Sequence, residues 1–319
     1  MDINSAVREA AKRLPEIECR YGEPLAAHTS LRIGGPVAAM FLPDTEDRLL
    51  ALLRETGARG LSPLIIGNGA NLLADSRGFD AAAIKTRRLD GVELTPSGAI
   101  RAGAGATLRS IAAFARDCGL CGIEFAHGIP GTLGGAVVMN AGAYGGELGD
   151  VVETVRAAPR SGENSWGRAV DIPAAECGFG YRSSRFGWSG EIIISADIRL
   201  HAGDAAEISA KMERLAARRR DKQPLDEPSA GSAFKRPENG YAAELIDRAG
   251  LKGYAIGGAA VSERHAGFIV NRSGATSDDV LELLGYVRAR VMEKFGIELE
   301  PEIKILRRDV TGGALLWNF

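Results

Sequence analysis

Residues 122–147 read Gly122-Ile-Glu-Phe-Ala-His-Gly-Ile-Pro-Gly-Thr-Leu-Gly-Gly-Ala-Val-Val-Met-Asn-Ala-Gly-Ala-Tyr-Gly-Gly-Glu147. Eight of these 26 residues are glycine. Glycine inside a helix or strand costs roughly 0.5–1 kcal/mol relative to alanine, so this density argues against ordinary secondary structure. A backbone without Cβ atoms can instead lie against a large flat or phosphorylated ligand. A glycine-rich packed crossover between two layers of the fold is the alternative interpretation.

Three positions indicate how this stretch is built. Pro130 is predicted to open a short helix, because proline is favoured at the first helical position. Residues 128–131 would form the turn before that helix. Asn140 and Tyr144 would then offer polar groups to the ligand, Tyr144 being the weaker candidate.

The composition limits the function classes. The chain has 319 residues, enough for two or three domains. Its net charge of −2 gives no electrostatic reason to expect nucleic acid as a partner. No apolar run of about 18 residues exists, so no membrane span is predicted. The amino-terminal residues contain no apolar signal segment, so the sequence predicts a cytoplasmic protein.

The cysteines and histidines do not suggest a metal or redox site. Four cysteines are too few for a disulfide framework at this length. Cys118 and Cys121 match Cys-x-x-Cys, but Cys118 ends a helical pattern instead of beginning one, which is the wrong context for a redox pair. The four histidines have no metal-ligand spacing. We therefore expect no metal, and the sequence assigns no role to Cys118 or Cys121.

Two Gly-x-Gly loops follow predicted strands, at Gly67-Asn-Gly-Ala-Asn-Leu-Leu73 and at Gly103-Ala-Gly-Ala-Thr-Leu108. Both lack the third glycine of the dinucleotide fingerprint, so they favour something other than a Rossmann turn. For the first loop the sequence predicts a different phosphate cradle. Consecutive backbone N–H groups and the amides of Asn68 and Asn71 could hold a pyrophosphate there.

Periodicity and punctuation predict a mixed α+β chain. The predicted helices cover residues 4–14, 45–56, 107–117, 204–222, 241–249 and 277–295. The predicted strands cover residues 37–42, 63–66, 81–86, 91–95, 99–103, 150–158, 191–200, 267–271 and 299–306. The basic cluster Arg218-Arg-Arg-Asp-Lys222 ends one helix, where cations favour the helix dipole. Anion binding is the alternative role of this cluster.

Five motifs in fixed order resemble the UDP-N-acetylenolpyruvoylglucosamine reductases, the flavoenzymes of peptidoglycan precursor synthesis. The likeness runs from about residue 20 to 306. The motifs are Thr29-Ser-Leu-Arg-Ile-Gly-Gly35; Gly67-Asn-Gly-Ala-Asn-Leu-Leu73; Gly128-Ile-Pro-Gly-Thr-Leu-Gly-Gly-Ala136 with Met139-Asn-Ala-Gly-Ala-Tyr144; Phe179-Gly-Tyr-Arg-Ser-Ser-Arg-Phe186; and the set Gly231-Ser-Ala-Phe-Lys-Arg-Pro237, Ala249-Gly-Leu-Lys-Gly-Tyr254, His265-Ala-Gly-Phe-Ile-Val-Asn271 and Leu299-Glu-Pro-Glu-Ile303.

The resemblance implies an FAD-binding fold of the vanillyl-alcohol-oxidase type, in two α+β subdomains, followed by an α+β substrate-binding domain. The subdomains would cover residues 1–90 and 91–200. The substrate domain would cover residues 201–306, and residues 307–319 would form a tail. The short segment between Tyr181 and the last domain resembles the compact second subtype of the family.

The resemblance also implies a two-step reaction. NADPH reduces FAD, and the reduced flavin N5 then gives hydride to the enolpyruvyl double bond of a UDP-sugar, forming UDP-N-acetylmuramate. Arg182 would bind the substrate carboxylate, Ser232 would donate the proton and Glu302 would assist at the enolate. Taken alone, each of these residues has an ordinary structural interpretation, respectively a surface ion pair, a tight turn and an exposed strand position.

The same resemblance supplies binding residues. For the substrate they are Lys235 and Tyr181. For FAD they are Gly67, Asn68, Gly69, Asn71, Leu72, Gly131, Thr132, Gly134, Gly135 and Asn140. Three positions depart from the family pattern, namely His28, Arg236 and Lys304, and the roles of Arg236 and Lys304 stay open.

The residues leave two other functions to weigh. One is a flavin-dependent oxidase or dehydrogenase of another small molecule on the same fold. The other is a flavin- or nucleotide-binding module without catalysis. The joint presence of Arg182, Ser232 and Glu302 favours the reductase, and we expect it to act as a monomer.

Overall fold

The structure is a computed structural model that describes residues 2–162, 165–308 and 314–317. The chain forms two compact units, each discontinuous in sequence. Unit 1 comprises residues 1–21, 38–68 and 81–219, and unit 2 comprises residues 22–37, 69–80 and 220–319. Within the described residues, no helix has both the length and the apolar character needed to cross a bilayer. The predicted division after residues 90, 200 and 306 stays a prediction.

Most helices begin at the polar residues that the sequence indicates. Thr45, Thr107 and Thr276 each accept a hydrogen bond from a backbone N–H of the first turn, which satisfies a donor that has no partner inside the helix. Gly296 ends the last helix in the left-handed conformation. The described helices α1 to α7 span Ile3–Arg13, Glu46–Gly57, Leu108–Asp117, Leu133–Val138, Ala205–Lys222, Ala242–Arg248 and Ser277–Phe295.

The strands are short, as the dense glycine and proline punctuation predicts. The described strands β1 to β22 span Glu18–Pro24, Pro36–Leu42, Leu64–Ile66, Leu72–Ala74, Phe79–Lys85, Val92–Leu94, Ile100–Gly103, Leu120–Cys121, Gly142–Ala143, Gly146–Glu147, Val152–Ala158, Arg160–Gly162, Ser165–Trp166, Val170–Pro173, Ile192–Ile198, His201–Ala202, Ser229–Ser232, Ala255–Ile256, Ala259–Val261, Phe268–Asn271, Lys304–Arg308 and Ala314–Trp317.

Two sheets dominate unit 1. The first has the strand order β1-β2-β5-β3, and apolar residues of α1 and α2 belong to the core beside it. The second is antiparallel, with the order β14-β11-β15-β7-β6, and α3 and α4 contribute to its core. The glycine-rich stretch enters this second core, where Leu133 and Val137 are fully buried.

Unit 2 has its own core and two sheets. Strands β17-β20-β19-β18 form an antiparallel sheet, and one face of α7 is buried beside it. Strand β21 pairs in parallel with β4, which follows the first glycine loop, and antiparallel with β22. The register sets Lys304 opposite Leu72, so this sheet joins that loop to the last motif of the chain.

The structure corrects three details of the predicted elements. Helix α4 begins at Leu133 and not at Pro130, because Gly131 has a φ of +142° and cannot be helical. The last strand begins at Lys304 and not at residue 299, since Pro301 has no N–H for a strand ladder and forms only an isolated bridge to Phe234. The predicted tail includes the paired strand β22, while residues 309–313, 318 and 319 lie outside the described part.

Candidate functional site

Gly67, in the first glycine loop, lies directly against Thr132 of unit 1. A Cβ atom added to Gly67 would lie 2.4 Å from Oγ1 of Thr132, so any other residue there would force the Thr132 hydroxyl to shift. Thr132 is 1% exposed, and its Oγ1 has no hydrogen-bond partner among the described residues. A buried hydroxyl without a partner costs free energy. Thr132 therefore offers an unused donor and acceptor that lie tightly against Gly67.

The later residues of this loop belong to unit 2 and contact other residues of that unit. Gly69 has a φ of +59°, and a Cβ there would lie 2.3 Å from the backbone oxygen of His28, so this glycine serves close backbone packing. Asn71 donates from Nδ2 to the backbone oxygen of Glu302 (3.1 Å), and its own backbone oxygen accepts from Lys304 (3.0 Å). Asn68 is exposed, in a position open to ligand. The pyrophosphate assignment of Asn71 stays a prediction, with its amide nitrogen already in use.

The predicted flavin glycines differ in their surroundings. A Cβ on Gly134 would lie 3.1 Å from the Cβ of Ala104, so Gly134 packs α4 against its neighbour. Gly135, one residue later, is exposed and has no protein atom within 4 Å of an added Cβ. Gly135 is thus the position of α4 where a flat ligand can approach without displacing protein.

Arg182 lies in a tight turn that we call the arginine turn, residues 180–183. The backbone groups of Gly180 and Ser183 bond reciprocally (3.0 and 3.1 Å), with Tyr181 and Arg182 between them. Arg182 has a φ of +52°, a left-handed conformation that costs a non-glycine residue roughly 1–2 kcal/mol. Its Nη2 donates to the backbone oxygen of Gly142 (3.1 Å), and Tyr181 is 51% exposed.

Asn140 is completely buried next to the arginine turn. Its Nδ2 donates to Oε1 of Glu147 (2.8 Å) and to the backbone oxygen of Gly180 (3.0 Å), while its Oδ1 accepts from the N–H of Gly149 (2.8 Å). Both amide hydrogens are therefore used inside the protein. The predicted flavin contact of Asn140 stays a prediction, and its side-chain donors take no part in it.

The end of α5 contains a cation that sequence reasoning treated only as part of a charge cluster. Nε of Arg219 is buried without a hydrogen-bond partner in the described part of the chain. Its Cδ lies 3.2 Å from the position of a Cβ on Gly128, and the neighbouring Arg218 guanidinium lies 5.4 Å from the ring centroid of Tyr144. Burial lowers the pKa of Arg219. An anion is the natural partner of such a guanidinium.

Ser232 and Glu302, 70 residues apart in sequence, lie on neighbouring segments of unit 2. We call residues 232–235 and 300–302 the paired segments. The N–H of Glu302 donates to the backbone oxygen of Ala233 (2.9 Å), and the N–H of Lys235 donates to the backbone oxygen of Glu300 (2.8 Å). Ser232 is half-buried at the end of β17, directly after Gly231, which has a φ of +77°.

Charged side chains surround the paired segments. Nζ of Lys235 forms an ion pair with Glu300. Burial, with a contribution from the Lys235 cation, lowers the pKa of Lys304. The guanidinium of Arg236 stacks 4.0 Å from the ring centroid of Tyr241. Lys235 is therefore close to Glu302 in the fold, but it is not an isolated charge.

The structure does not gather a metal site in the residues it describes, where no group of three or more acidic, histidine or cysteine side chains could hold an ion. Cys118 caps the end of α3, as its sequence context predicts. Burial raises the pKa of Cys177 to about 11, so this thiol is held protonated.

Two family models match the chain. The model of the FAD binding domain matches residues 37–165, and the model of the C-terminal domain of UDP-N-acetylenolpyruvoylglucosamine reductase matches residues 223–306. The fold class predicted from the motifs, an FAD-binding fold followed by an α+β domain, is confirmed by these matches and by the mixed sheets and helices.

Named relatives match over nearly the whole chain. The UDP-N-acetylenolpyruvoylglucosamine reductase of Caldanaerobacter subterraneus subsp. tengcongensis is 47% identical over 293 residues, covering 92% of this chain and 95% of the relative. That of Thermotoga maritima is 44% identical, covering 89% and 97%. The crystal structure of the reductase from Thermus caldophilus has a TM-score of 0.73 at 32% identity, covering 91% of this chain and 98% of that one. The chain belongs to the UDP-N-acetylenolpyruvoylglucosamine reductase family.

Proposed function

We propose that the protein is an FAD-dependent reductase that uses NADPH to convert UDP-N-acetylglucosamine enolpyruvate to UDP-N-acetylmuramate. The observation that carries the proposal is the pairing of the Ser232 and Glu302 segments through Ala233. The backbones of two motifs far apart in sequence are thus paired, which supports the proposal that Ser232 and Glu302 act on one substrate. A binding module without catalysis has no need of this arrangement.

Features of unit 1 fit FAD. Thr132 has a buried hydroxyl without a partner among the described residues, and Gly67 lies tightly against it. Asn68 is exposed, and Gly135 has an open face. Backbone N–H groups of the first glycine loop would hold the pyrophosphate, and the Thr132–Gly135 segment would lie along the flavin. When bound, FAD would supply the hydride-transfer chemistry that links oxidation of NADPH to reduction of the enolpyruvyl double bond.

Arg182 would hold the substrate carboxylate. A guanidinium presents a planar fork that binds a carboxylate through two parallel hydrogen bonds and stays charged at every working pH. Hydride addition moves electron density into this carboxylate, so a fixed positive charge there stabilises the enolate-like state. The left-handed turn at Arg182 fits such a fixed role.

Ser232 would deliver the proton to the carbon that bears the carboxylate. A serine hydroxyl is a weak acid, but a carbanion-like carbon is basic enough to take its proton. Glu302 would assist, either in its protonated form or through a polarised water. Because its backbone N–H is bonded to Ala233, Glu302 is held within about one residue of Ser232 along the paired segments.

Two cations, one in each unit, suit a UDP-sugar and NADPH, which both carry phosphates. Lys235 would contact the diphosphate of the sugar nucleotide, at the cost of its pair with Glu300. Arg219 would serve an anionic group beside Gly128 and Tyr144. We propose a cytoplasmic location, as the sequence predicts, and we expect a monomer by sedimentation.

An anaerobic spectrum tests the proposal. Bleaching of the flavin bands by NADPH, followed by their recovery when the enolpyruvyl UDP-sugar is added, is the expected result. Bleaching without recovery would favour an oxidase or dehydrogenase of another small molecule. A protein that binds no FAD after reconstitution would contradict the cofactor assignment.

A further inference from the structure

The backbone of the chain takes positive φ at few non-glycine residues. Four non-glycine residues of the described part have a positive φ. Three of them, Asn140, Tyr144 and Arg182, belong to the glycine-rich stretch or to the arginine turn. Such conformations persist only where surrounding contacts hold them. The contacts that hold Arg182 therefore show what the glycine-rich stretch does besides facing a ligand.

Residues 138–142 hold the arginine turn at three points. At one end, Nδ2 of Asn140 donates to the backbone oxygen of Gly180 (3.0 Å). At the other end, Oγ of Ser184 donates to the backbone oxygen of Val138 (2.9 Å). Between them, the Arg182 side chain itself donates to the backbone oxygen of Gly142 (3.1 Å). One short segment thus sets both the backbone and the side chain of Arg182.

Among these anchors, Asn140 needs a side chain that both donates and accepts hydrogen bonds. Its amide donates to two acceptors, Gly180 and Glu147, and accepts from a third group, the N–H of Gly149. A carboxylate would present only acceptors to those first two partners. Glu147 is itself fixed, because its backbone N–H donates to Asp150 in a capping box (2.9 Å). Asn140 is therefore oriented before any ligand arrives.

We propose that Asn140 is a positioning residue of the reductase, which holds the arginine turn so that the Arg182 guanidinium meets the substrate carboxylate. The inference rests on the proposed function. It assigns the Asn140 side chain to the substrate step, in which Arg182 acts, and not to flavin binding.

The test separates the two half-reactions in Asn140→Ser. We expect FAD content and flavin reduction by NADPH to stay within about twofold of the unmodified protein. Reoxidation by the enolpyruvyl UDP-sugar should slow by ~10–100-fold, because a misplacement of about 1 Å can cost that much. Equal slowing of both half-reactions, or loss of FAD at unchanged reoxidation, would overturn the inference.

A double-mutant cycle shows whether Asn140 acts through Arg182. Lysine cannot form the planar fork, so Arg182→Lys removes what Asn140 is proposed to position. In that background Asn140→Ser should slow reoxidation by no more than about threefold, since the two residues are coupled. Multiplicative effects would contradict a positioning role.

Two more variants guard against misfolding. Ser184→Ala removes the anchor at the other end of the turn and should slow reoxidation by about tenfold, with unchanged flavin reduction. If Asn140→Ser does not fold and Ser184→Ala reacts at the unmodified rate, the inference fails. Thr56→Val is the matched control, because Thr56 is fully buried in α2 and donates to the backbone oxygen of Leu52 (2.8 Å), away from the turn. It should leave both half-reactions unchanged.

The unmodified protein separates this inference from the proposed function. If its reduced flavin is not reoxidised by the sugar nucleotide, the function proposal fails and the inference fails with it. If it is reoxidised and Asn140→Ser matches it in both steps, only the inference on Asn140 falls.

Discussion

The arginine turn and the paired segments hold candidate catalytic residues in opposite ways. The anchors at the two ends of the turn are neutral, namely the completely buried Asn140 amide on Gly180 and the Ser184 hydroxyl on Val138. The paired segments are joined by backbone hydrogen bonds, and the side chains around them are charged, as in the pair of Lys235 with Glu300. The first arrangement resists changes of pH and salt, whereas the second responds to both.

This difference suits the two tasks. The role proposed for Arg182 depends on the planar fork of its guanidinium, so Arg182 needs only a fixed position. In the proposed mechanism, a proton moves between Ser232 of the paired segments and a substrate carbon, and nearby charges tune such a step. Substitutions in these two regions are therefore expected to impair the protein in different ways.

Ser232→Ala should have the largest effect. Loss of a general acid typically slows the step it serves by ~10²–10⁴-fold, so reoxidation by the enolpyruvyl UDP-sugar should slow by that factor while flavin reduction by NADPH is unchanged. Anaerobic stopped-flow absorbance measures both steps. Ser229→Ala, on the same strand, is the control and should react normally. Equal slowing of both steps would make Ser232 structural and break the comparison.

Asp75→Asn should destabilise unit 2, which contains the paired segments. Asp75 is 3% exposed, and the Arg77 guanidinium lowers the pKa of its carboxyl from 3.8 to about 2. Since the folded-state pKa lies below the unfolded value, the stabilisation is complete above about pH 5 and is lost as the pH falls towards 2. It amounts to about 2 kcal/mol at pH 7.

Urea unfolding at pH 7 and pH 3 measures this effect. The unmodified protein should lose stability between the two values, and Asp75→Asn should lose less. Asp44→Asn is the control, because Asp44 pairs with Arg48 on the surface of unit 1 and should change little at either pH. A pH dependence that survives in Asp75→Asn would assign the effect to another carboxylate.

Gly135→Ala should have effects of opposite sign with and without the cofactor. No protein atom lies within 4 Å of the added Cβ, so the FAD-free protein should gain roughly 0.5–1 kcal/mol from the alanine in α4. If the flavin lies along this face, its affinity should fall on the order of tenfold. Thermal unfolding and FAD titration measure the two effects.

Gly285→Ala is the matched control for Gly135→Ala. Gly285 is also inside a helix, α7, with open space at the Cβ position. It should give the same gain in stability with no change in FAD affinity. An unchanged FAD affinity in Gly135→Ala would place the flavin elsewhere.

Glu300→Gln should have the smallest effect. Glu300 is 69% exposed on its side chain, so losing its pair with Lys235 should change stability by less than about 1 kcal/mol. A freed Lys235 should lower the KM for the sugar nucleotide by about two- to threefold at low salt, and less at high salt. Glu298→Gln, which breaks the exposed pair with Arg288, is the control. A raised KM would remove Lys235 from the substrate site.

The sequence predicted helix boundaries well, but it did not show whether an individual glycine is required by packing or by a ligand. Helices α2 and α7 were predicted within about one residue, because capping residues and glycine mark their ends. The second Gly-x-Gly loop resembles the first in sequence, yet Cβ atoms on Gly103 and Gly105 would each lie 2.1 Å from a backbone oxygen of the protein. Glycine required by packing and glycine required by a ligand look the same in sequence.

By itself the sequence determined the family, the fold class and the candidate residues, because ordered motifs and helix periodicity are properties of the chain read locally. Only the tertiary structure decided that Asn140 donates a hydrogen bond to Gly180 and that Glu302 donates one to Ala233. It alone also left Thr132 with an unused hydroxyl. These features depend on which distant groups are buried together, since a hydrogen bond across 40 or 70 residues leaves no periodic trace in the sequence.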